Sequence, residues 1–192
     1  MITLIIVDCQ NDFITGSMSV KGAKKAVEEI KKFIKLKRKE ISKIILTADW
    51  HPYTHMSFKR NGGQWPQHCV QFTPGACIEP KLLKLINSFN IDYEVSTKGM
   101  IEEVEQYGAF DEIELVIDNL GKRYYFDSIA SADAETTFVV CGIAGDYCVK
   151  ATIQNMLEED IVPKVFCPGI ASIDGGKIFS DFVKENKLEK IV

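Results

Sequence analysis

Histidine and tryptophan are scarce in this chain: 192 residues hold three of the first and two of the second. No apolar run approaches the ~20 residues that a membrane-crossing helix needs, so no membrane span is expected. No basic stretch precedes the first apolar run, Ile2–Val7, so no signal peptide is expected and the cytosol is the expected compartment. The six cysteines (9, 69, 77, 141, 148 and 167) form neither a C-x-x-C pair nor a zinc-ribbon spacing, which argues for reduced thiols over a disulfide framework. Positive charge is not in excess either. With 23 Lys and Arg against 27 Asp and Glu, the net charge is −4, and nothing global draws the protein to nucleic acid. Internal repeats, low-complexity tracts and linkers are all missing, so residues 1–192 are expected to form a single domain.

What is present is a chain that is 46% hydrophobic, enough for a sizeable core without disulfides. Its apolar segments alternate between strand and helix patterns. Strands are expected at Ile2–Val7, Lys43–Ala48, Asp92–Ser96, Phe138–Gly142 and Val162–Phe166, with a short last one in Leu188–Val192. Helices are expected at Lys24–Lys39, Pro80–Asn87, Asp146–Glu158 and Asp174–Glu185. This rhythm predicts an α/β fold, a parallel sheet with helices on both faces. Nine of the basic residues lie between Lys21 and Lys39, opposite an apolar stripe of Ala23, Val27, Ile30 and Ile34. They read as a solvated helix face. The polar segment Asp111–Thr137 fits neither pattern.

The scarce residues are concentrated. His51, His55 and His68 fall in one stretch with Trp50 and Trp65. Asp49 and His51 end the run Ile44-Ile45-Leu46, and the two-residue period of a strand aims both side chains to one side. His68 can fold back from the loop as a third ligand. One carboxylate and two imidazoles suit a divalent transition metal with open positions.

In a parallel α/β sheet, ligands sit beyond the carboxyl ends of the strands. Asp8 and Asp49 end two expected strands there, Lys98 follows a third, and Cys148 lies just past a fourth. Cys148 is expected in the first turn of a helix, where the dipole favours a thiolate. Lys98 adds positive charge, Asp8 can accept the thiol proton, and the turn Gly142-Ile143-Ala144-Gly145 can supply backbone donors. A lone cysteine is more often a packing residue. Four reactive groups at strand ends outweigh that.

The segments IIVDCQNDF, TADWHPYTHMSF, WPQHCVQFTPGA, STKG and CGIAGDYCVKAT together resemble the isochorismatase-like cysteine hydrolases, and within them the nicotinamidases. The resemblance covers most of residues 2–157 and implies a Rossmann-like, isochorismatase-like sheet. It implies a catalytic triad of Asp8, Lys98 and Cys148. A divalent metal would be held by Asp49, His51 and His68, with Ser57 near it through water. It further implies a cis peptide before Ala144, an oxyanion hole made by the amides of Ala144 and Cys148, and a pyridine pocket walled by Phe13 and Trp65. His55 stays outside the ligand set. The implied reaction is hydrolysis of nicotinamide, and of pyrazinamide, to the acid and ammonia through a thioester. The ion is expected to be zinc, with iron and manganese as alternatives, and to anchor the pyridine nitrogen. The alternative activity is a related hydrolase acting on another small amide, carbamoyl or enol-ether substrate. Homo-oligomerisation stays open. Two departures from the family pattern bear on substrate range. Asp111–Thr137 reads as an insertion at the pocket rim or an oligomer contact, and Gly145 stands where a larger residue is common, which can loosen the turn or widen the pocket.

Overall fold

The computed structural model describes residues 1–110 and 136–192. Among the described residues, six parallel strands form one sheet in the order β3-β2-β1-β4-β5-β6. They are β1 (Ile2–Val7), β2 (Ile41–Asp49), β3 (Asp92–Lys98), β4 (Thr137–Ile143), β5 (Lys164–Ala171) and β6 (Lys190–Ile191). Among the described residues the helices are α1 (Asn11–Ile14), α2 (Ala23–Lys37), α3 (Pro80–Ser88), α4 (Lys150–Glu158) and α5 (Lys177–Glu185). The expected α/β architecture is the one found. The unplaced segment lies outside the described residues except for its last two, 136 and 137.

β1 explains the arrangement. Nearly every residue of I-T-L-I-I-V is apolar because the strand is central and covered on both faces. Leu4 and Ile6 pack with Ile30 and Ile34 of α2 and Leu82 and Ile86 of α3. Ile5 and Val7 point the other way, to Ile153 and Met156 of α4 and Phe179 and Phe182 of α5. The strand order reverses between β1 and β4, so the chains leaving these two strands diverge and open a crevice at their carboxyl ends. No described helix is long and apolar enough to cross a membrane.

Strand and helix ends shift by one or two residues, the short helix α1 is not among the expected elements, and three further elements differ more. β5 runs on to Ala171, past Pro168, because the pairing with β4 jumps from Val140–Val165 to Gly142–Ile170. Pro168 falls in that irregularity, where no ladder N–H is required of it. α5 starts later, after Gly175 and Gly176 with φ of 85° and 100°. The Asp174 carboxylate accepts from the amides of Gly176 and Ile178 and caps the helix. Before α4 comes one wide turn, Gly145–Val149, in which the Val149 amide donates to the Ala144 carbonyl at 3.0 Å. On the lysine-rich face of α2, Lys31 is an exception. It is buried, paired with Glu28 and 3.9 Å from Glu79, the residue that caps α3.

Candidate active site

Strand geometry brings Asp8, Asp49, Lys98 and Cys148 together in one buried cluster. Asp8 leaves β1 with φ +46°, which turns its side chain off the strand line. Its Oδ1 accepts the hydroxyl of Thr47 at 2.6 Å, while Oδ2 lies 2.8 Å from Lys98 Nζ. Lys98 and Asp49 are register partners at the ends of β3 and β2. Lys98 reaches past Asp49, pairing with its Oδ1 on the way, and its Nζ comes 3.5 Å from Cys148 Sγ. One ammonium therefore serves two carboxylates and a thiol. A fully buried lysine is tolerable only with such partners.

The electrostatics follow from that crowding. Burial pulls the Lys98 ammonium toward neutrality, but Asp49, Asp8 and Cys148 outweigh it and hold its pKa well above the ordinary value. Burial raises the Asp8 carboxyl, with Lys98 opposing. Asp49 is also buried, yet Lys98 and the two imidazoles beside it keep its carboxyl well below the ordinary range. Burial pushes the Cys148 thiol well above its ordinary value, with Asp8 and Asp49 adding to the rise against Lys98. The thiolate expected from the helix dipole is outweighed here by desolvation and two nearby carboxylates.

Asp49 joins this cluster to a second one. Its Oδ2 is 3.5 Å from His51 Nε2 and 3.8 Å from His68 Nε2. His51 Nδ1 donates to the Gly99 carbonyl at 2.9 Å, and His68 Nδ1 donates to the Pro66 carbonyl at 2.8 Å. A carbonyl can only accept, so both rings carry the proton on Nδ1 and turn Nε2 toward Asp49. Gly99 (φ +63°) lies so close that a Cβ there would strike the His51 ring. This donor set fits a divalent transition ion: one carboxylate oxygen and two imidazole nitrogens, each ring oriented from behind. His55 does not fit. Its Nε2 faces the Val104 carbonyl at 3.0 Å and must donate, so Nδ1 accepts the Ser57 hydroxyl at 2.8 Å, and no nitrogen is left over. Ser57 is buried and donates its hydroxyl proton to His55, while its oxygen keeps lone pairs that can accept.

The peptide bond between Ile143 and Ala144 is cis. At Gly145 a side chain would run into Ser172, Ile170 and Phe179, so the space that a larger residue would use is filled from β5 and α5. Phe13 packs on His68 with ring centroids 5.4 Å apart. Trp65 donates its Nε1–H to the Tyr107 hydroxyl at 3.0 Å and meets the Tyr147 ring edge-on at 5.0 Å. A separate cavity of about 730 Å³ lies between α2, β5 and α5, lined by Lys21, Lys25, Phe179 and Val183, and holds none of the charged cluster.

Residues 3–100 match the Isochorismatase domain family. The nicotinamidase of Escherichia coli is 30% identical over 190 residues, an alignment spanning 89% of this chain and 83% of the relative. The chain belongs to the isochorismatase family. Solved structures agree with the membership. Yeast nicotinamidase bound to the inhibitor nicotinaldehyde superposes with a TM-score of 0.82 at 26% identity, covering 100% of this chain and 99% of that one. The pyrazinamidase of Pyrococcus horikoshii in complex with zinc gives 0.76 at 25% identity, covering 99% and 98%.

Several residues around this isochorismatase-family site carry no signal that strand and helix patterns can read. Thr47 sits inside an apolar strand, Tyr107 follows an irregular stretch, and Tyr147 is overshadowed by its neighbour Cys148. Gln10 and Asp12 had a readable cue, since polar residues follow Asp8 directly after a buried strand. Glu105 is half-buried within reach of the charges of His51 and Asp49, and burial raises its carboxyl.

His55 gives this protein an acid-sensitive element. Burial, with the His51 charge adding to it, lowers its pKa from 6.5 to about 4. Between these values the unfolded chain binds a proton that the folded chain refuses. The share of stability that His55 contributes is full above pH 6.5 and is lost as the pH drops toward 4. His55→Gln does not titrate, so its melting temperature should decline less than the parent's between pH 7 and 4.5. Equal declines in both proteins would refute the assignment to His55.

Proposed function

We propose that this isochorismatase-family protein hydrolyses the carboxamide of nicotinamide to nicotinate and ammonia, with pyrazinamide as a second substrate. The observation that carries the reading is the buried convergence of Asp8, Lys98 and Cys148 beside the Asp49–His51–His68 donor set. The nicotinamidase relatives and the nicotinaldehyde-bound yeast enzyme support the substrate.

The chemistry begins from a protonated Cys148. Sγ attacks the carboxamide carbon as its proton passes to Asp8, so no free thiolate has to be stored in the buried site. Lys98 balances the negative charge of Asp8 and of sulfur during transfer. The carbonyl oxygen becomes an oxyanion, which the amides of Ala144 and Cys148 receive. The tetrahedral adduct breaks its C–N bond, and Asp8 returns the proton to the departing nitrogen as ammonia leaves. A raised carboxyl pKa suits Asp8 to both directions of that transfer. Water then attacks the thioester with Asp8 again as base, releasing nicotinate and restoring the thiol. Phe13, Trp65 and the tyrosines next to Trp65 wall the ring.

Asp49, His51 and His68 would hold a divalent ion, with zinc first and iron or manganese as alternatives. When bound, it supplies a Lewis-acidic contact for the ring nitrogen. The zinc complex of the pyrazinamidase relative supports that choice. Six unpaired cysteines fit a reducing compartment, the cytosol.

The test is ammonia release from three amides. Nicotinamide and pyrazinamide share the ring nitrogen and should turn over well. Benzamide has nearly the same shape but leaves the polar end of the site without a partner, the kind of loss that rejects an analogue strongly. Its kcat/KM should be at least ~10²-fold lower. A His51→Ala, His68→Ala double variant should narrow that gap, chiefly by worsening nicotinamide. Comparable kcat/KM for benzamide and nicotinamide in the parent would refute ring-nitrogen anchoring. No ammonia from any amide would refute the activity.

A further inference from the structure

The loop that leaves β1 does more than deliver Asp8. In a parallel strand, the N–H and C=O of one residue face the same neighbour, and successive residues alternate sides. On β2, the Thr47 carbonyl receives the Asp8 amide, so Thr47 and Asp49 face the β1 side, while the Trp50 amide donates to Lys98 on the β3 side. β1 has ended by then, and Asp8 has already turned away. Without a substitute, the N–H and C=O of buried Asp49 would have no strand to pair with.

Gln10 is that substitute. Its Oε1 accepts the Asp49 amide at 2.8 Å, and its Nε2 donates to the Asp49 carbonyl, also at 2.8 Å. The second Nε2 hydrogen goes to the Ala76 carbonyl at 2.8 Å. Gln10 is fully buried, and its amide has one workable orientation, because two carbonyls demand the nitrogen and one N–H demands the oxygen. Two residues on, Asp12 Oδ2 accepts the Cys69 amide at 2.8 Å, next to His68, while its Oδ1 takes the Ser17 amide at 3.1 Å. Phe13 then packs on the His68 ring.

We infer that Gln10 and Asp12 are positioning residues for the ion site. Gln10 sets the backbone of Asp49, Asp12 sets the arm carrying His68, and both tie the donor set to the strand that delivers Asp8. The inference rests on the proposed ion-binding role of Asp49, His51 and His68. Second-layer partners of this kind are typically worth 10- to 100-fold in metal affinity.

The experiment measures Zn²⁺ affinity of the purified full-length protein by competition with a chelating dye, alongside thermal melts and ammonia release at limiting and saturating Zn²⁺. In Gln10→Ala the affinity should fall by ~10- to 100-fold, and saturating Zn²⁺ should recover most of the parent kcat. Gln10→Glu keeps the acceptor for the Asp49 amide but opposes an oxygen to two carbonyls, so it should weaken Zn²⁺ similarly while guarding against loss of folding in the alanine variant. Asp12→Asn should weaken it less, since one acceptor survives. A purely structural role would lower the melting temperature of the variants and leave the Zn²⁺ affinity of their folded forms at the parent value, which would overturn the inference alone. A parent protein that binds no Zn²⁺ would overturn the ion reading and this inference together.

Discussion

Cys148→Ala is expected to abolish ammonia release from nicotinamide while leaving Zn²⁺ content and a cooperative melt intact. The thiol is not among the donors beside Asp49 Oδ2, which are His51 and His68. Removing the attacking atom leaves no route to a thioester, so the loss should exceed the ~10²–10⁴ typical of a missing general base. The other thiols provide the contrast. Cys141 is buried in β4 with Sγ 3.6 Å from the Ile5 carbonyl, and Cys167 lies in β5. Alanine at either position should keep activity, with only a modest stability loss at Cys141. Turnover near the parent level in Cys148→Ala would eliminate covalent catalysis by this residue.

Asp8→Asn should also be severely impaired, by about 10²- to 10⁴-fold in kcat, for a different reason. Asparagine keeps the shape but cannot take the proton from Cys148 or return it to ammonia. A second readout separates this role from simple disruption. Burial foremost, and then the charges of Asp8 and Asp49, hold the Cys148 thiol well above its ordinary value while Lys98 opposes them. Removing the Asp8 charge leaves Lys98 with fewer anions to serve, so thiolate should form at lower pH than in the parent. Alkylation by iodoacetamide should shift its midpoint downward even as turnover collapses. A merely damaged site would lose both reactivities. Unchanged turnover would show that Asp8 is not the base, whatever the alkylation curve does.

Wherever periodicity is strong, the fold is legible in the chain. β1 is the clearest case: a continuous apolar run beside a helix pattern has few solutions except a central parallel strand. Strand ends were harder to read, because β5 passes through Pro168 by a pairing irregularity that only its neighbour β4 creates. The start of α5 depends on Asp174 taking the amides of Gly176 and Ile178, a local competition that hydrophobic spacing does not register.

For the site, the sequence by itself determined which chemistries were available. A parallel sheet gathers its carboxyl ends along one edge, so Asp8, Asp49, Lys98 and Cys148 had to lie on that edge; the order β3-β2-β1-β4, which makes their strands neighbours, came from the tertiary structure. Asp49 and His51 do share a side, but β2 ends at Asp49, and His51 is held there by backbone bonds with Cys69 and Gln71 and not by strand period. Which residues touch, and in what protonation state, was decided only by the tertiary structure. Lys98 pairs with Asp49 as well as Asp8, and the Cys148 thiol is pushed well above its ordinary value, because desolvation depends on everything packed around a group. His55 has the same composition as a ligand and sits in the same loop. Its two nitrogens are claimed by Val104 and Ser57, and Val104 is 49 residues away in the chain. Gln10 is one more polar residue until β1 ends and the backbone of Asp49 needs a partner. Hydrogen-bond valence is satisfied in space, across distant segments, and no local pattern encodes it.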